Sequence, residues 1–321
     1  MKAIVCTKYG PPEVLRLVEV PKPVPNDKEV LIRIVATTVT RGDVRMRAFD
    51  VPAGQWLFAR LYLGVFKLKR AVLGMSLAGV VESVGKDVTR FKTGDAVFAS
   101  TLGADFGGHA EYKCLPENGM LALMPAGIGF EEAAAIPGGA TTALRVIRKA
   151  EIKKGQSVLV YGASGAVGTY AVQLARHFGA TVTGVCSTAN LELVRSLGAD
   201  EVLDYTRGEF AGCGERFDVF VDAVGKTTAS EGKKYLKKSG RYLNVHTASG
   251  HDGERIEELL FVTDLLATGA LQTVIDRTYP LDRIVEAHRY VDTWRKRGNV
   301  VITVGEASGR VIGHPVQEAR S

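Results

Sequence analysis

The sequence predicts an α/β protein of two domains, in which a doubly wound parallel sheet follows a β-rich domain. One observation is a strand, a glycine-rich turn and a helix over Val158–Gly179, followed by further alternating strands and helices. Another is the series of β-type segments within residues 1–125, separated by proline and glycine turns. A final helix and strand are expected to return to the first domain. The predicted domains are therefore 1–125, completed by 272–321, and 126–271.

The glycine-rich turn carries the main functional prediction. The apolar run Val158–Tyr161 has the length of a buried parallel strand, and from Val167 apolar residues recur at helical spacing. Between them stand Gly162, Gly165 and Gly168. Such glycines permit a tight turn and close approach to a pyrophosphate, while the helix N-terminus supplies N–H groups. An ordinary βα turn is the alternative, but the strands and helices that follow are the context expected of a dinucleotide site.

The remaining elements are predicted from periodicity and turn residues. In the β-rich region the expected strands are Lys2–Lys8, Leu15–Val20, Glu29–Val39, Gly79–Val84, Ala96–Ala99 and Ala110–Cys114. Two helices, Glu131–Ile136 and Ala140–Ala150, are expected on either side of a break at Pro137-Gly138-Gly139. Strands Ala180–Cys186, Glu201–Asp204, Phe217–Asp222, Arg241–Val245 and Val300–Val304 and helices Asn190–Leu197, Ala229–Leu236, Glu254–Ala267 and Leu281–Lys296 complete the prediction.

Composition and charge are those of an ordinary globular protein. The 321 residues are 46% hydrophobic and 24% charged, which suffices for two domains. The net charge of +6 would suit a nucleic-acid binder, but the basic clusters are not interleaved with stacking aromatics, so we expect no nucleic-acid partner. The four cysteines are scattered, which favours neither a disulfide framework nor a zinc knuckle and suggests a reducing, cytoplasmic setting.

No targeting or membrane-spanning segment is expected. The N-terminus lacks a long apolar region followed by a small-residue cleavage site. No stretch reaches the ~18 uncharged apolar residues of a membrane span, because basic residues interrupt the apolar segment Leu57–Val72. The prediction is therefore a protein without a membrane partner.

Several blocks along the chain together resemble the medium-chain dehydrogenase/reductase superfamily, and within it the zinc-independent quinone-oxidoreductase-like branch. They run almost from end to end: Lys28–Ile34 with Gly42 and Asp43, Leu73–Val84 with Gly94 and Asp95, Gly108–Tyr112, Glu131–Ala143, the glycine turn, Leu197–Tyr205, Asp218–Gly225 and Arg297–Val304. The resemblance implies a GroES-like, partly open β-barrel joined to a Rossmann domain. It also implies a cofactor in the cleft between the domains and a monomer or homodimer.

The resemblance shows where this chain departs from the zinc alcohol dehydrogenases of the superfamily. Thr40 stands at the first zinc-ligand Cys position, Met75-Ser76 at the His-Glu position, and Pro137-Gly138 near the last Cys position. The closely spaced cysteines of the structural zinc lobe are also missing. Hydroxyl and thioether groups are poor zinc ligands, so we expect no zinc.

The residues after the second strand of the parallel sheet favour NADPH over NADH. An NAD site usually has Asp or Glu there to bind the ribose 2′-OH, whereas this strand is followed by Ser187-Thr188-Ala189-Asn190. Ser187 and Asn190 can donate hydrogen bonds to a 2′-phosphate, which an acid would repel. Related quinone reductases carry Lys where Asn190 stands, which weakens the expected preference. Arg207 is either a substitute cation or a solvated loop charge.

The other expected cofactor contacts come partly from the turn and partly from the resemblance. The turn places backbone N–H groups near the pyrophosphate. The resemblance puts Tyr205 beside the adenosine ribose and Thr142 and Asn299 on the nicotinamide side, and the fold puts two strand ends nearby. A helix N-terminal role for Thr142 and a locally bonded His246 are the alternatives. The predicted set is Thr142, Gly162, Ser164, Gly165, Ala166, Val167, Ser187, Asn190, Tyr205, Val224, Val245, His246 and Asn299.

On the substrate side the expected catalytic residues are Thr40, Arg45 and Tyr62. Thr40 occupies the position of a polar Asn in related quinone reductases, and Arg45 that of a Tyr, so Arg45 binds an anionic group or points to solvent. Asp43 fits a structural role as well as a catalytic one. Tyr62 belongs to the apolar segment Gln55–Phe66, which predicts either a pocket for an apolar substrate or core and interface packing.

These observations predict a zinc-independent NADPH-dependent oxidoreductase that transfers hydride to a small apolar electrophile, either a quinone or an α,β-unsaturated carbonyl. An enoyl-thioester reductase and a zinc-free alcohol dehydrogenase are the alternatives among enzymes. An NADPH-sensing protein and an RNA-binding protein are the alternatives outside them. No residue in the sequence identifies itself as a general acid.

Overall fold

The structure, a computed structural model, describes residues 1–51, 54, 56–66, 68–214, 216–248 and 253–305. The chain divides into two compact units. The first comprises Met1–Pro137, Arg277–Arg295 and the chain from Val300, and the second comprises Gly138–Asp276 and Lys296–Asn299. Helices and strands are numbered below in chain order. No helix within the described residues is both long and apolar enough to cross a membrane.

The first unit is built on antiparallel strands. A two-stranded ribbon pairs β1 (Lys2–Cys6) with β2 (Leu15–Glu19). The larger sheet contains β3 (Glu29–Thr38), β4 (Ser76–Val84), β5 (Ala96–Ser100), β6 (Tyr112–Pro116), β7 (Leu121–Leu123), β13 (Ile275–Pro280) and β14 (Asn299–Thr303). Its order is β13-β14-β3-β4-β5-β7, with β6 also pairing with β3. The described strands thus form an open arrangement, which confirms the predicted partly open barrel.

Helices α1 (Arg41–Ala48), α2 (Trp56–Leu63) and α9 (Ile284–Asp292) accompany these strands. The sequence suggested that residues 1–125 are all-β in character, and this was wrong over α1 and α2. The start of α1 has a local cause, because Thr40 and Asp43 form a capping box that satisfies N–H groups of the first turn. Helix α9 is shorter than the predicted Leu281–Lys296 helix, and the extended strand β13 precedes it.

The second unit contains five parallel strands: β8 (Ser157–Tyr161), β9 (Thr181–Cys186), β10 (Glu201–Asp204), β11 (Phe217–Asp222) and β12 (Leu236–Asn244). Their order is β10-β9-β8-β11-β12, so the chain starts in the middle and winds outward in both directions. This order is that of a Rossmann sheet and confirms the predicted doubly wound α/β class. The glycine turn leaves the central strand, β8.

Helix α3 (Phe130–Ala150) begins in the first unit and continues into the second. The other described helices of the second unit are α4 (Ala166–His177), α5 (Leu191–Ser196), α6 (Ala229–Lys233), α7 (Val245–Ala248) and α8 (Ile256–Ala267). The apolar strands are buried between helices, and Val158, Leu159, Val160 and Phe220 have no exposed surface. Helix α6 ends earlier than predicted because Leu236 starts strand β12.

The expected break at Pro137-Gly138-Gly139 was wrong, because α3 runs through all three residues. A proline removes one helical hydrogen bond, and here packing holds the helix together. Residues on both sides of Pro137 are fully buried, including Ile136 and Ala140. A Cβ on Gly139 would lie 2.9 Å from the ring of Tyr170, so the glycine allows α4 to pack closely against α3.

Candidate functional site

The glycine turn has a shape that only glycine permits at two positions. Gly162 follows β8 with a φ of +78°, and a Cβ there would lie 2.0 Å from Val224 Cγ2. A Cβ on Gly168 would lie 2.1 Å from the carbonyl oxygen of Gly162. The chain can therefore turn sharply from strand to helix and pack the first turn of α4 directly on the strand end. Gly165 differs, since its nearest neighbour would be 3.5 Å from a Cβ.

The N-terminus of α4 is suited to bind an anion. Gly165 is the N-cap residue, and no side chain of the described residues caps it. The first N–H groups of a helix, here those of Ala166, Val167 and Gly168, have no partner within the helix. They combine with the positive end of the helix dipole to attract phosphate. A pyrophosphate therefore fits this turn, and the open space at Gly165 allows its close approach.

A neighbouring segment fixes the turn from the other side. The N–H of Gly298 donates to the carbonyl of Ser164 at 2.8 Å, and Gly165 and Gly298 form an isolated parallel bridge. Lys296 Nζ donates to the carbonyl of Gly298 at 2.7 Å. Burial lowers the pKa of Lys296 to about 8, partly countered by Asp276. The sequence analysis missed Lys296, although its position three residues before the last strand was visible.

Asn299 supports the same segment. Its backbone N–H and its side-chain Nδ2 both donate to the carbonyl of Val274, at 2.9 and 3.1 Å. The residue is buried, with 6% of its surface exposed. The backbone and side-chain donors of Asn299 thus both serve a structural contact, and the predicted cofactor contact of Asn299 stays a prediction.

Three predicted residues meet at the ends of β8 and β9. Asn190 Nδ2 lies 3.1 Å from Ser164 Oγ and 3.2 Å from Ser187 Oγ, and it donates to both. The two hydroxyl groups keep their own protons for another acceptor, because a hydroxyl can accept and donate at once. The cluster contains no carboxylate, so it offers donors without a negative charge. This is the chemistry expected of a 2′-phosphate site.

Arg207 does not stand free beside this cluster. Its Nε lies 3.5 Å from Asp204 Oδ2. Asp204, at the end of β10, is fully buried and also accepts hydrogen bonds from Thr188 and from both donors of Thr206. Burial acts to raise the pKa of Asp204, but these hydrogen bonds outweigh it and hold the pKa below its ordinary value. Tyr205 lies next to this carboxylate with 52% of its surface exposed.

A second buried carboxylate shapes the loop after β11. Asp222 accepts from the N–H groups of Val224, Gly225 and Thr227 at 2.7–2.9 Å, and from the hydroxyl of Thr227 at 2.7 Å. This holds Val224 against Gly162, where it fills the space a side chain there would need. An Asp at a strand end followed by Gly and Thr is a signal of such a turn that the sequence analysis did not use.

His246 and Val245 begin α7, after the last parallel strand. His246 is exposed, and its ring lies over Gly225, where a Cβ would come within 2.2 Å of it. Its backbone N–H donates to Asn244 Oδ1 at 2.9 Å. Gly225, with a φ of +75°, is therefore required for this approach. His246 thus lies next to the loop that Asp222 shapes, and its predicted cofactor contact stays a prediction.

Thr142 lies in the middle of α3, so the alternative of a helix N-terminal role was wrong. Its Oγ1 donates to the carbonyl of Gly138 at 2.7 Å. Such a bond from a Thr hydroxyl to the carbonyl four residues earlier is common inside helices, and it is separate from the bond that Pro137 removes, which would end on the carbonyl of Ala133. Thr142 is half-buried, and its predicted nicotinamide contact stays a prediction.

In the first unit, Thr40 is engaged by Asp43. Thr40 Oγ1 donates to Asp43 Oδ2 at 2.6 Å and accepts from the N–H of Asp43 at 3.2 Å. Asp43 is fully buried and also accepts from the N–H groups of Thr40 and Gly74. The carboxylate thus joins the start of α1 to the Gly74 segment. These contacts give Asp43 a structural role.

The positions that correspond to zinc ligands hold residues that contact each other. Thr40 Oγ1 lies 3.6 Å from Met75 Sδ, and a Cβ on Gly42 would lie 2.6 Å from the same sulfur. The thioether packs in this space, and neither group is a good zinc donor. No set of three His, Cys, Asp or Glu side chains within the described residues is placed to hold a metal ion.

Arg45 turns back on its own helix end. Its Nε donates to the carbonyl of Asp50 at 3.1 Å and lies 3.9 Å from the Asp50 carboxylate. The guanidinium is 32% exposed, so the local contact does not bury it. Tyr62 lies on α2, and its side chain is outside the described part of the structure.

Comparison with known proteins adds matches in both units. The alcohol dehydrogenase GroES-like domain family matches residues 26–146, and the zinc-binding dehydrogenase family matches residues 166–273. The chain is 37% identical to the 2-methylene-furan-3-one reductase of Solanum lycopersicum, over 94% of this chain and 79% of that protein. It is 33% identical to the NADPH-dependent alkenal/one oxidoreductase of Arabidopsis thaliana, with the same coverage. The quinone oxidoreductase of Coxiella burnetii has a similar structure, with a TM-score of 0.83, 27% identity and coverage of 95% of this chain and 99% of that one.

Proposed function

This chain belongs to the medium-chain dehydrogenase/reductase superfamily, in its quinone-oxidoreductase-like branch, and on that premise we propose that it is a zinc-independent, NADPH-dependent oxidoreductase acting on quinones or α,β-unsaturated carbonyls. The observation that carries the proposal is the uncapped start of α4 beside a carboxylate-free cluster of donors. The names of the relatives support it, since one is an NADPH-dependent alkenal/one oxidoreductase and another a quinone oxidoreductase.

The residues of the second unit are proposed to bind and orient NADPH. Bound NADPH would supply the hydride, as nicotinamide cofactors do. The N–H groups of Ala166 and Val167 would bind the pyrophosphate at the open Gly165 position. Ser187 would donate its hydroxyl proton to the 2′-phosphate. The Asn190 amide already donates to Ser164 and Ser187, so Asn190 would orient these hydroxyl groups and would donate to the phosphate only by releasing one of them. Tyr205 would lie along the adenosine ribose. Asp204 holds Arg207 at 3.5 Å, so we expect the hydroxyl and amide donors to provide more of the discrimination than this arginine.

On the substrate side Thr40, Arg45 and Tyr62 stay our proposed residues. The hydroxyl proton of Thr40 points to Asp43, so Thr40 can donate to a substrate carbonyl only by leaving that carboxylate. We therefore propose that Thr40 chiefly orients the start of α1 and contacts substrate through its remaining lone pair or its methyl group. No described residue on this side is assigned as a general acid, and the enolate, or the hydroquinone anion left by hydride transfer to a quinone, would take its proton from solvent.

Zinc independence rests on the chemistry of the donor set. A catalytic zinc ion needs thiolate, imidazole or carboxylate ligands. Thr40 and Met75 stand where two ligands would be, and Asp43 is already occupied by Thr40 and Gly74. The residues present therefore do not fit a catalytic zinc ion, and the proposed reaction uses none.

We also propose a reducing, cytoplasmic setting, because the cysteines are free thiols. Cys6, Cys114, Cys186 and Cys213 are all free. Burial raises the pKa of Cys6 and of Cys114 to about 11 and that of Cys186 to about 12. Thiols of this kind stay protonated at neutral pH and react slowly.

The test is cofactor oxidation against a panel of electrophiles. NADPH and NADH are each offered with a quinone, an enone and an enoyl thioester, with and without a metal chelator. We expect turnover with NADPH on the quinone or enone that the chelator does not change. Preference for the thioester would select the alternative enzyme class. Tight NADPH binding without turnover on any acceptor would overturn the proposal in favour of a sensor, and loss of activity with the chelator would contradict zinc independence.

A further inference from the structure

An exposed apolar surface lies on α2 and the residues just after it. We call it the α2 face. Each of its five side chains is at least half exposed. Leu57, Phe58 and Leu61 lie on the helix, with Leu57 and Leu61 one turn apart, and Val65 and Phe66 follow the end of the helix. The α2 face consists of Leu57 (62% exposed), Phe58 (77%), Leu61 (58%), Val65 (50%) and Phe66 (87%). Exposed apolar patches of this size often mark a surface that binds another molecule.

Contacts on the opposite side of α2 hold the helix to the protein and keep the α2 face exposed. The guanidinium of Arg60 lies over the rings of Phe49, Tyr9 and Trp56, at 3.9, 4.8 and 5.1 Å. Leu63 packs against the core of the first unit. These contacts hold one side of the helix to the protein and leave the apolar side without cover from the described residues.

Hydrogen bonds also fix the end of α2. Tyr9 Oη donates to the carbonyl of Gly64 at 2.8 Å, and Lys69 Nζ donates to the carbonyl of Leu61 at 2.7 Å. One side chain thereby satisfies a free carbonyl of the last helical turn, and another holds the residue that follows the helix. Rotation of the helix to bury Phe58 and Phe66 would break this set of contacts. The α2 face is thus exposed because these contacts fix the orientation of α2.

The chain segment that carries this surface contains basic residues and no acidic ones. No Asp or Glu occurs from residue 51 to residue 81, whereas the same segment contains Arg60, Lys67, Lys69 and Arg70. Arg70 is paired with Asp105 from outside the segment. A two-fold contact with a second copy would bring these like charges together, because such a contact matches a surface with itself. An anionic partner avoids that repulsion.

We propose that the α2 face docks on the surface of a lipid bilayer that contains anionic lipids. Helices with Trp, Phe and Leu on one side and Lys or Arg beside them lie in the interface of a bilayer, with the apolar side among the headgroups and upper acyl chains. Phe58 and Phe66 would enter the bilayer, and Trp56 would lie at its boundary. The prediction of no membrane partner was based only on the lack of a membrane-spanning segment. A protein without such a segment can still bind to the surface of a bilayer. The inference does not depend on the proposed activity.

The experiment uses the full chain and vesicles of phosphatidylcholine, with or without phosphatidylglycerol. Co-sedimentation measures binding to the vesicles at low and high salt. The test variant is Phe58→Gln with Phe66→Gln, which removes apolar surface without changing charge. The matched control is Val24→Gln with Leu260→Gln, since Val24 and Leu260 are exposed by 85% and 45% outside the α2 face. Thermal unfolding of each variant checks that it is folded.

A spectroscopic reading locates the contact. The chain has two tryptophans, Trp56 and Trp294. In a Trp294→Phe background the fluorescence reports Trp56 alone, and we expect its emission to shift to the blue on anionic vesicles. We also expect binding to fall about tenfold in the double Gln variant, to weaken with salt, and to be unchanged in the control.

Three results would overturn the proposal. Wild-type protein that sediments with neither vesicle has no such surface. Equal binding by the wild type and the double Gln variant would assign the contact elsewhere. A wild type that is dimeric by sedimentation velocity, with a monomeric double Gln variant and no vesicle binding, would assign the α2 face to a second copy of the chain.

Discussion

Asn190 Nδ2 lies 3.1 Å from Ser164 Oγ, which joins the loop after β9 to the glycine turn after β8. One amide therefore links the proposed 2′-phosphate site to the proposed pyrophosphate site. The same nitrogen reaches Ser187 Oγ at 3.2 Å. A change at Asn190 is expected to alter the binding of both ends of the adenosine diphosphate portion.

An acid at position 190 should weaken NADPH binding more than NADH binding. Asn190→Asp places a negative charge where a 2′-phosphate would bind, and it removes the amide donor. We expect NADPH affinity to fall about tenfold or more, which corresponds to ~1.4 kcal/mol, and NADH affinity to fall less, through the lost contact with Ser164 alone. Titration calorimetry with both cofactors measures this. Asn190→Ala is the neutral control, and an equal loss in both variants would show that charge at this position does not matter.

Two glycines of the same turn should respond differently to alanine. Gly168→Ala forces a Cβ to within 2.1 Å of the Gly162 carbonyl, so we expect unfolding stability to fall by about 1–3 kcal/mol. Gly165→Ala meets nothing closer than 3.5 Å, so its stability should stay within about 0.5 kcal/mol of wild type. Gly165→Ala should nevertheless weaken NADPH binding, since the methyl group occupies the space proposed for the pyrophosphate.

Denaturant unfolding and cofactor titration of the two variants separate packing from binding. A stable Gly165→Ala protein that binds NADPH as wild type does would contradict the proposed pyrophosphate position. A Gly168→Ala protein as stable as wild type would contradict the close packing of α4 on β8.

The capping role of Thr40 gives a third prediction. Thr40→Val removes the hydroxyl that accepts from the N–H of Asp43, and we expect a loss of about 1 kcal/mol of stability. Thr40→Ser keeps that hydroxyl and should be close to wild type in stability. If Thr40 mainly orients α1, kcat of folded Thr40→Ser will match wild type. A large fall in kcat for the serine variant, at unchanged stability, would instead point to a role for the methyl group in substrate contact.

Lys296 should make stability depend on pH in alkaline solution. Its pKa is about 8 in the folded protein and 10.5 in its ordinary state. Between these values the unfolded chain binds more protons than the folded one, so stability rises with pH from about 8 to 10.5. Lys296→Met should reduce this rise. The free energy of unfolding of both proteins is measured at about pH 7, 8, 9 and 10, which spans that window. An equal rise with pH in wild type and variant would refute the assignment.

Sequence patterns predicted the elements whose signal is local. The strand, glycines and helix at Val158–Gly179 follow from apolar periodicity and from positions where only glycine fits, and the structure has them. Helix α3 shows the limit, because the sequence at Pro137 predicts a break and only burial against Tyr170 and its neighbours explains why the helix continues. Tertiary packing of this kind has no signature in a single sequence.

The candidate site shows the same division. Ser164, Ser187 and Asn190 were predicted from motif and residue type, and they are found within hydrogen-bond distance. Arg207 pairs with Asp204 only three residues away, and Lys296 contacts Gly298 two residues away. These contacts are local, but the burial of Asp204 and Lys296 depends on tertiary packing that the sequence does not display. The exposed α2 face is a further example, since the apolar segment alone is consistent with a core, a pocket or a surface.

The most direct test of the central claim follows the hydride itself. NADPH carrying deuterium at the transferable position of the nicotinamide is incubated with the protein and an enone, and the product is examined by mass spectrometry and NMR. We predict deuterium on the β-carbon of the reduced ketone, with a hydrogen from solvent on the α-carbon, and no change when a chelator is present. Product without deuterium, or NADPH that binds and is never oxidised by any quinone or enone, would contradict the account.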